Sequence, residues 1–132
     1  MAPTPSNGYR VLVVDDDQAV LSTYRRLLQR SGFEPVTVAD PLEVLAKDHS
    51  NGVHLVLLDY RMPGLDGLSL LAELRRRECS VPAILVSAYL SEDVVSQARM
   101  LGVAHVLEKP VDVSALRGHL FELLPAAVSR PA

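Results

Sequence analysis

Cysteine is nearly absent: Cys79 is the single one in 132 residues. Alone it can close no internal disulfide and build no cysteine metal cluster. Its default reading is a passive thiol, and the chain suits a reducing cytoplasm. Basic charge is also short, with 13 Lys and Arg against 16 Asp and Glu and a net charge of −3. Phosphate-backbone binding needs a concentrated basic surface, so nucleic acid is not expected as a direct partner. Arg25, Arg26 and Arg30 read as a solvated helix face, and Arg75, Arg76 and Arg77 as a basic helix end, rather than as docking patches. No apolar run approaches the ~18 residues a membrane span needs. Met1 to Gly8 lacks the basic start and apolar stretch of a signal peptide. Neither membrane insertion nor secretion is expected. No glycine-rich turn follows the first apolar run either. Asp15-Asp16-Asp17 stands there and would repel a nucleotide's phosphates without a metal.

What is present describes one ordinary globular domain: 48% hydrophobic and 22% charged residues in a length that supports a single core. We expect tails at 1–8 and 125–132 around a domain at 9–124. Strands are expected at Arg10 to Val14, Pro35 to Val38, Val53 to Leu58, Ala83 to Val86 and Val103 to Leu107. Their continuous apolar character suits a parallel sheet buried on both faces. Helical spacing fills the gaps. Val20, Leu21, Tyr24, Leu27 and Leu28 share one face, and Gly32 ends that helix. Asp40 caps a second helix with Pro41 at its first position. Leu68, Leu71 and Leu74 mark a third. Ser91 caps a fourth carrying Val94, Val95, Ala98 and Leu101. Asp112 caps a fifth carrying Val113, Leu116, Leu120 and Leu123. Five strand-then-helix units give an α/β fold, a doubly wound sheet with helices on both faces. These patterns leave the strand order open.

In such sheets the site lies at the carboxyl ends of the strands. There the sequence places Asp15 and Asp16, then Asp59, then Ser87, then Lys109-Pro110. Asp17 is better read as a helix cap. Asp59 directly follows an apolar run, where a carboxylate is costly unless paired. Asp15, Asp16 and Asp59 would repel one another, and a cation is the natural remedy. Carboxylate oxygens without a convergent His or Cys set suit Mg²⁺ or Mn²⁺ rather than zinc. His49, His54, His105 and His119 show no ligand spacing and read as surface or core residues. Three carboxylates and a divalent ion leave about one negative charge, which Lys109 can balance. Such a centre suits phosphoryl transfer, whose transition state spreads charge over three oxygens. The ion, Lys109 and the Ser87 hydroxyl can each meet one of them, and a carboxylate can be the nucleophile.

The pieces Val11-Leu12-Val13-Val14-Asp15-Asp16-Asp17, Leu57-Leu58-Asp59-Tyr60-Arg61-Met62-Pro63-Gly64-Leu65-Asp66-Gly67, Leu85-Val86-Ser87-Ala88 and Glu108-Lys109-Pro110 resemble the receiver domains of bacterial two-component response regulators. They stand in that family's order across residues 10–124. The resemblance implies a (βα)5 flavodoxin-like three-layer sandwich with strand order 2-1-3-4-5. It implies Asp59 as phosphoacceptor. Metal would be held by Asp15, Asp16, Asp59 and the backbone carbonyl of Arg61, with Ser87 and Lys109 on the phosphoryl group. It implies a cis Lys109–Pro110 peptide. It also implies a cytoplasmic signalling switch that catalyses only its own phosphorylation and dephosphorylation, rather than a turnover enzyme. The implied partners are a sensor histidine kinase and a downstream effector or histidine phosphotransfer protein. A homodimer through the helix 4–strand 5–helix 5 face is a further option.

The chain departs from the family at Val106, where Tyr or Phe usually turns inward on activation. A β-branched side chain cannot sweep that path. Tyr89 is the alternative residue for modulating access or read-out at the same mouth, and the side chain of Arg61 is a further one for access. Three rivals remain: a constitutive interaction scaffold, a phosphorelay shuttle, and an enzyme resembling the haloacid-dehalogenase phosphatases. The last needs a second acid two residues after the nucleophile, where Arg61 stands. No second domain is legible after residue 124, and Ala126 to Ala132 could begin a linker to one.

Overall fold

The computed structural model describes residues 8–124, so apart from Gly8 the expected tails lie outside the described residues. Its strands are β1 (Arg10–Val14), β2 (Glu34–Val38), β3 (Leu55–Asp59), β4 (Ala83–Ser87) and β5 (Val103–Glu108). Its helices are α1 (Gln18–Arg30), α2 (Pro41–Ala46), α3 (Gly67–Arg76), α4 (Glu92–Met100) and α5 (Val113–Leu123). All strand pairs are parallel, and the order is β2-β1-β3-β4-β5.

Alternation along each strand feeds two separate cores. Leu12, Val14, Val56, Leu58, Ala83 and Leu85 bury against Val44 of α2, the leucines of α3, and Val94 and Ala98 of α4. Val11, Val13, Leu55, Leu57, Ile84 and Val86 bury against Leu21, Tyr24 and Leu28 of α1 and Leu116 and Leu120 of α5. Because both faces are covered, the three central strands have no polar face, which explains their continuous apolar sequence.

The helix signals act as expected. Asp17 accepts from the amides of Ala19 and Val20, and Asp40 from that of Leu42. Ser91 accepts from Val94, and Asp112 from Ser114 and Ala115. Each satisfies amides that the first helical turn would leave unpaired. Gly32 follows α1 with a φ of +89°, the left-handed conformation that glycine adopts at least cost.

Several details correct the sequence expectations. Strand β3 begins at Leu55, because His54 and Val53 lie in the turn that precedes it. Val113 is exposed rather than inside, since it sits at the first turn of α5, above the rim of the core. β5 carries a bulge: Val103 pairs with Ala83 but His105 pairs with Ile84, so Ala104 is the extra residue. This puts Val106 beside Leu85 and His105 beside Ile84, on opposite faces of the sheet.

Arg75 is not part of a solvated helix end. Its guanidinium donates to the carbonyls of Leu101, Cys79 and Val81, joining α3 to the turn before β4 and to the end of α4. Arg76 is mostly exposed and pairs with Glu73. Arg75→Ala should therefore cost about 2–3 kcal/mol in urea unfolding, against under about 0.5 kcal/mol for Arg76→Ala. Equal losses would refute the bridging role.

Candidate functional site: an acidic cluster at the strand ends

The register of the sheet builds the site. Val14 pairs with Leu58, so the residues that follow them, Asp15 after β1 and Asp59 in β3, emerge side by side. Asp59 pairs with Val86, which brings Ser87 to the same edge. The amide of Lys109 donates to the carbonyl of Ser87 at 2.9 Å, which fixes the start of the β5–α5 loop against β4. The Lys109–Pro110 peptide is cis.

Carboxylate oxygens of Asp15, Asp16 and Asp59 lie within 4.8 Å of one another. Lys109 Nζ lies 3.0 Å from Asp59 Oδ1 and 3.9 Å from Asp15 Oδ2. Asp15 and Asp59 are only 2% and 7% exposed, while Asp16 faces solvent. Asp15 also accepts the backbone N–H of Asp17 at 2.9 Å, which holds its carboxylate towards the cluster.

Burial is the main force on both carboxyls and lifts their pKa values above the ordinary aspartate range. Neighbouring aspartates push in the same direction, against Lys109 and backbone hydrogen bonds. Burial alone would lower the Lys109 ammonium. The hydrogen bond and charge of Asp59, with those of Asp15 and Asp16, outweigh it and raise that pKa. The field reaches α1 as well, where burial and then the charges of Asp15 and Asp59 push the Tyr24 phenol up to about 12.

An all-oxygen set with more negative charge than one lysine can balance fits a hard divalent cation. Asp15, Asp16 and Asp59 would hold it. Arg61 is exposed in the loop directly after β3, at a shallow hollow lined by Tyr60, Met62, Pro63 and Asp66.

Ser87 is 1% exposed. Its Oγ donates to the carbonyl of Tyr89 at 2.7 Å and accepts the Tyr89 N–H at 3.2 Å. The hydroxyl thus folds the first residues of the β4–α4 loop around itself. Tyr89 itself is 78% exposed. Val106 is partly buried against the α3 and α4 side of the core.

Gly67 is a part of the site whose reason the sequence hides. A Cβ there would lie 2.3 Å from the Asp59 carbonyl oxygen. Its amide donates to the Tyr60 carbonyl at 2.7 Å. Only glycine lets α3 start this close to the strand that carries Asp59. Two of the histidines gather across the fold: His105 and His119 meet Glu122 in a second group with metal-ligand reach. Their separation across a strand and a helix leaves no local spacing to read.

Residues 11–121 match the response regulator receiver domain family. The chain belongs to that family. Receiver domains of two-component systems are signalling switches rather than conventional enzymes. This receiver is 38% identical over 115 residues to the transcriptional regulatory protein PrrA of Mycobacterium tuberculosis, covering 87% of this chain and 49% of PrrA. It thus spans about half the length of that relative. The expectation that nucleic acid is no partner finds no support here, because PrrA is a transcriptional regulator. Among solved structures, the receiver resembles a CheY-like receiver domain protein from Methanospirillum hungatei at a TM-score of 0.82 and 28% identity, over 93% of this chain and 98% of the other. It also resembles the CheX–CheY–BeF3–Mg²⁺ complex from Borrelia burgdorferi at a TM-score of 0.79 and 25% identity, over 88% and 89% of the two chains. Both share the fold expected from the motifs. No described helix is long and apolar enough to cross a membrane.

The raised carboxyl pKa values fix a sign. A folded state that holds protons more tightly than the unfolded chain loses stability as pH rises through those pKa values. At neutral pH the two buried charges therefore work against the fold. Asp15→Asn keeps an acceptor for the Asp17 amide and leaves the Lys109–Asp59 pair intact. In metal-free buffer it should stabilise the receiver by about 1 kcal/mol, a few degrees in Tm. A destabilised variant in thermal unfolding with EDTA would contradict the assignment.

Proposed function

We propose that Asp59 accepts a phosphoryl group from the phosphohistidine of a sensor histidine kinase, in a reaction that needs Mg²⁺ or Mn²⁺. The observation that carries this is the Lys109 ammonium 3.0 Å from Asp59 inside a cluster of three carboxylates. An Asp59 oxygen attacks phosphorus, and the imidazole of the donor leaves. Lys109, already on Asp59, is positioned to follow the new phosphoryl oxygens and balance their charge. Ser87, at the end of the neighbouring strand, is positioned to donate its hydroxyl to one of them. A divalent ion held by Asp15, Asp16, Asp59 and the Arg61 carbonyl would supply the remaining neutralisation of phosphoryl oxygens. The similarity to a CheY captured with BeF3 and Mg²⁺ supports the reading.

The switch follows from the hydrogen bonds of Ser87. Its hydroxyl proton now goes to the Tyr89 carbonyl. Phosphorylation replaces one negative charge by about 1.5 to 2 and adds strong acceptors beside it. Turning the Ser87 hydroxyl to those acceptors releases the Tyr89 carbonyl and frees the β4–α4 loop to repack. With Val106 in place of an aromatic side chain, the exposed Tyr89 ring is the residue on that loop available to report the change. A partner reading the α4–β5–α5 surface, whether a downstream effector, a histidine phosphotransfer protein or a second copy, would bind the two states differently. The work available is that difference alone.

Incubation with acetyl phosphate and Mg²⁺ followed by intact mass measurement tests the chemistry. One phosphoryl adduct is expected, absent in Asp59→Asn and absent with EDTA. An adduct that persists in Asp59→Asn, or forms equally in EDTA, would overturn the proposal.

A further inference from the structure

We infer a second metal site, for a borderline transition ion of the zinc class, between β5 and α5. His105 Nε2 lies 2.7 Å from Glu122 Oε1, and His119 Nδ1 lies 3.8 Å from the same oxygen. One ligand atom from each of the three residues falls within 4.8 Å of the others. The cluster shares no residue with the acidic site.

The fold explains the gathering. The bulge at Ala104 seats His105 beside Ile84, whose face of the sheet is covered by α5. His119 and Glu122 are neighbours one turn apart on that helix. β5 is an edge strand, so the group opens to solvent: the side chains of His105, His119 and Glu122 are 27%, 28% and 61% exposed. An ion can reach it without disturbing either core.

The donor set is two imidazoles and one carboxylate, which suits Zn²⁺ rather than the oxygen-seeking Mg²⁺. Bonds of about 2.0–2.1 Å in a tetrahedron require donor atoms about 3.3–3.4 Å apart. The two measured separations lie on either side of that value. The histidine rings are stacked, with centroids 3.8 Å apart and planes 24° from parallel. Imidazole lone pairs lie in the ring plane, so binding requires the partly exposed His119 ring to turn about its Cβ–Cγ bond until its Nδ1 faces the ion. Three protein ligands leave a fourth position for water. The ion would clamp α5 to the strand that leads to Lys109.

Zinc titration of the untagged full chain by calorimetry, with Mg²⁺ in excess to occupy the acidic cluster, tests the site. One Zn²⁺ per chain is expected. His119→Ala and Glu122→Gln should each weaken it by about 10-fold or more, with circular dichroism confirming that both variants fold. In the unsubstituted chain, Zn²⁺ should shift the ring ¹⁵N resonances of His105 and His119 and leave those of His49 and His54 in place. Absent binding, binding unaltered by His119→Ala, or shifts at His49 or His54 instead would overturn the site and leave an ordinary His–Glu hydrogen bond.

Discussion

Two carboxylates buried side by side, with one ammonium between them, are the constraint around which the receiver is arranged. Leu55 to Leu58 and Val11 to Val14 are almost wholly buried, so Asp59 and Asp15 leave the sheet where little water reaches them. The cost is uncompensated negative charge at the strand ends. Lys109 offsets part of it, held in place by its own amide on Ser87. The remainder is negative charge of the kind a divalent cation would balance. A stability optimum would have placed neutral residues here. The electrostatic strain is the sign of a site rather than of a core.

The surroundings are close-packed on one side and hydrogen-bonded through a serine on the other. Beneath Asp59, Gly67 lets α3 press against the Asp59 carbonyl, and Arg75 ties that helix to the segments on either side of β4 and α4. Above it, the β4–α4 loop is held at its start by a single serine hydroxyl bonded to Tyr89. Asp59 thus lies between a closely packed helix start and a loop whose first residues fold around the Ser87 hydroxyl.

Most of this was legible in the sequence because the signals are local or topological. Asp17, Asp40, Ser91 and Asp112 announce helix starts because their side chains accept the amides of the first helical turn. The apolar runs announce a sheet covered on both faces, and the strand-end rule then collects Asp15, Asp16, Asp59, Ser87 and Lys109 without any measured distance. The strand order needed the family resemblance, since right-handed crossovers alone permit several orders. What stayed hidden depends on contacts between distant segments. Arg75 stands in the same arginine run as the exposed Arg76, and only its contacts with the distant carbonyls of Val81 and Leu101 separate them. The need for glycine at Gly67 shows only once the Asp59 carbonyl is seen next to it. The bulge at Ala104 has no composition signal, yet it decides which faces His105 and Val106 occupy. Strict alternation from Val103 would have sent His105 to the opposite helix layer, away from His119 and Glu122.

The charge constraint is most directly measured by Mg²⁺ titration of the ¹⁵N-labelled chain, followed by amide chemical shifts. Saturable changes centred on Asp15, Asp16, Asp59 and Arg61, and much weakened in Asp59→Asn, are what the arrangement predicts. Flat titrations, or changes that map elsewhere and survive Asp59→Asn, would contradict it.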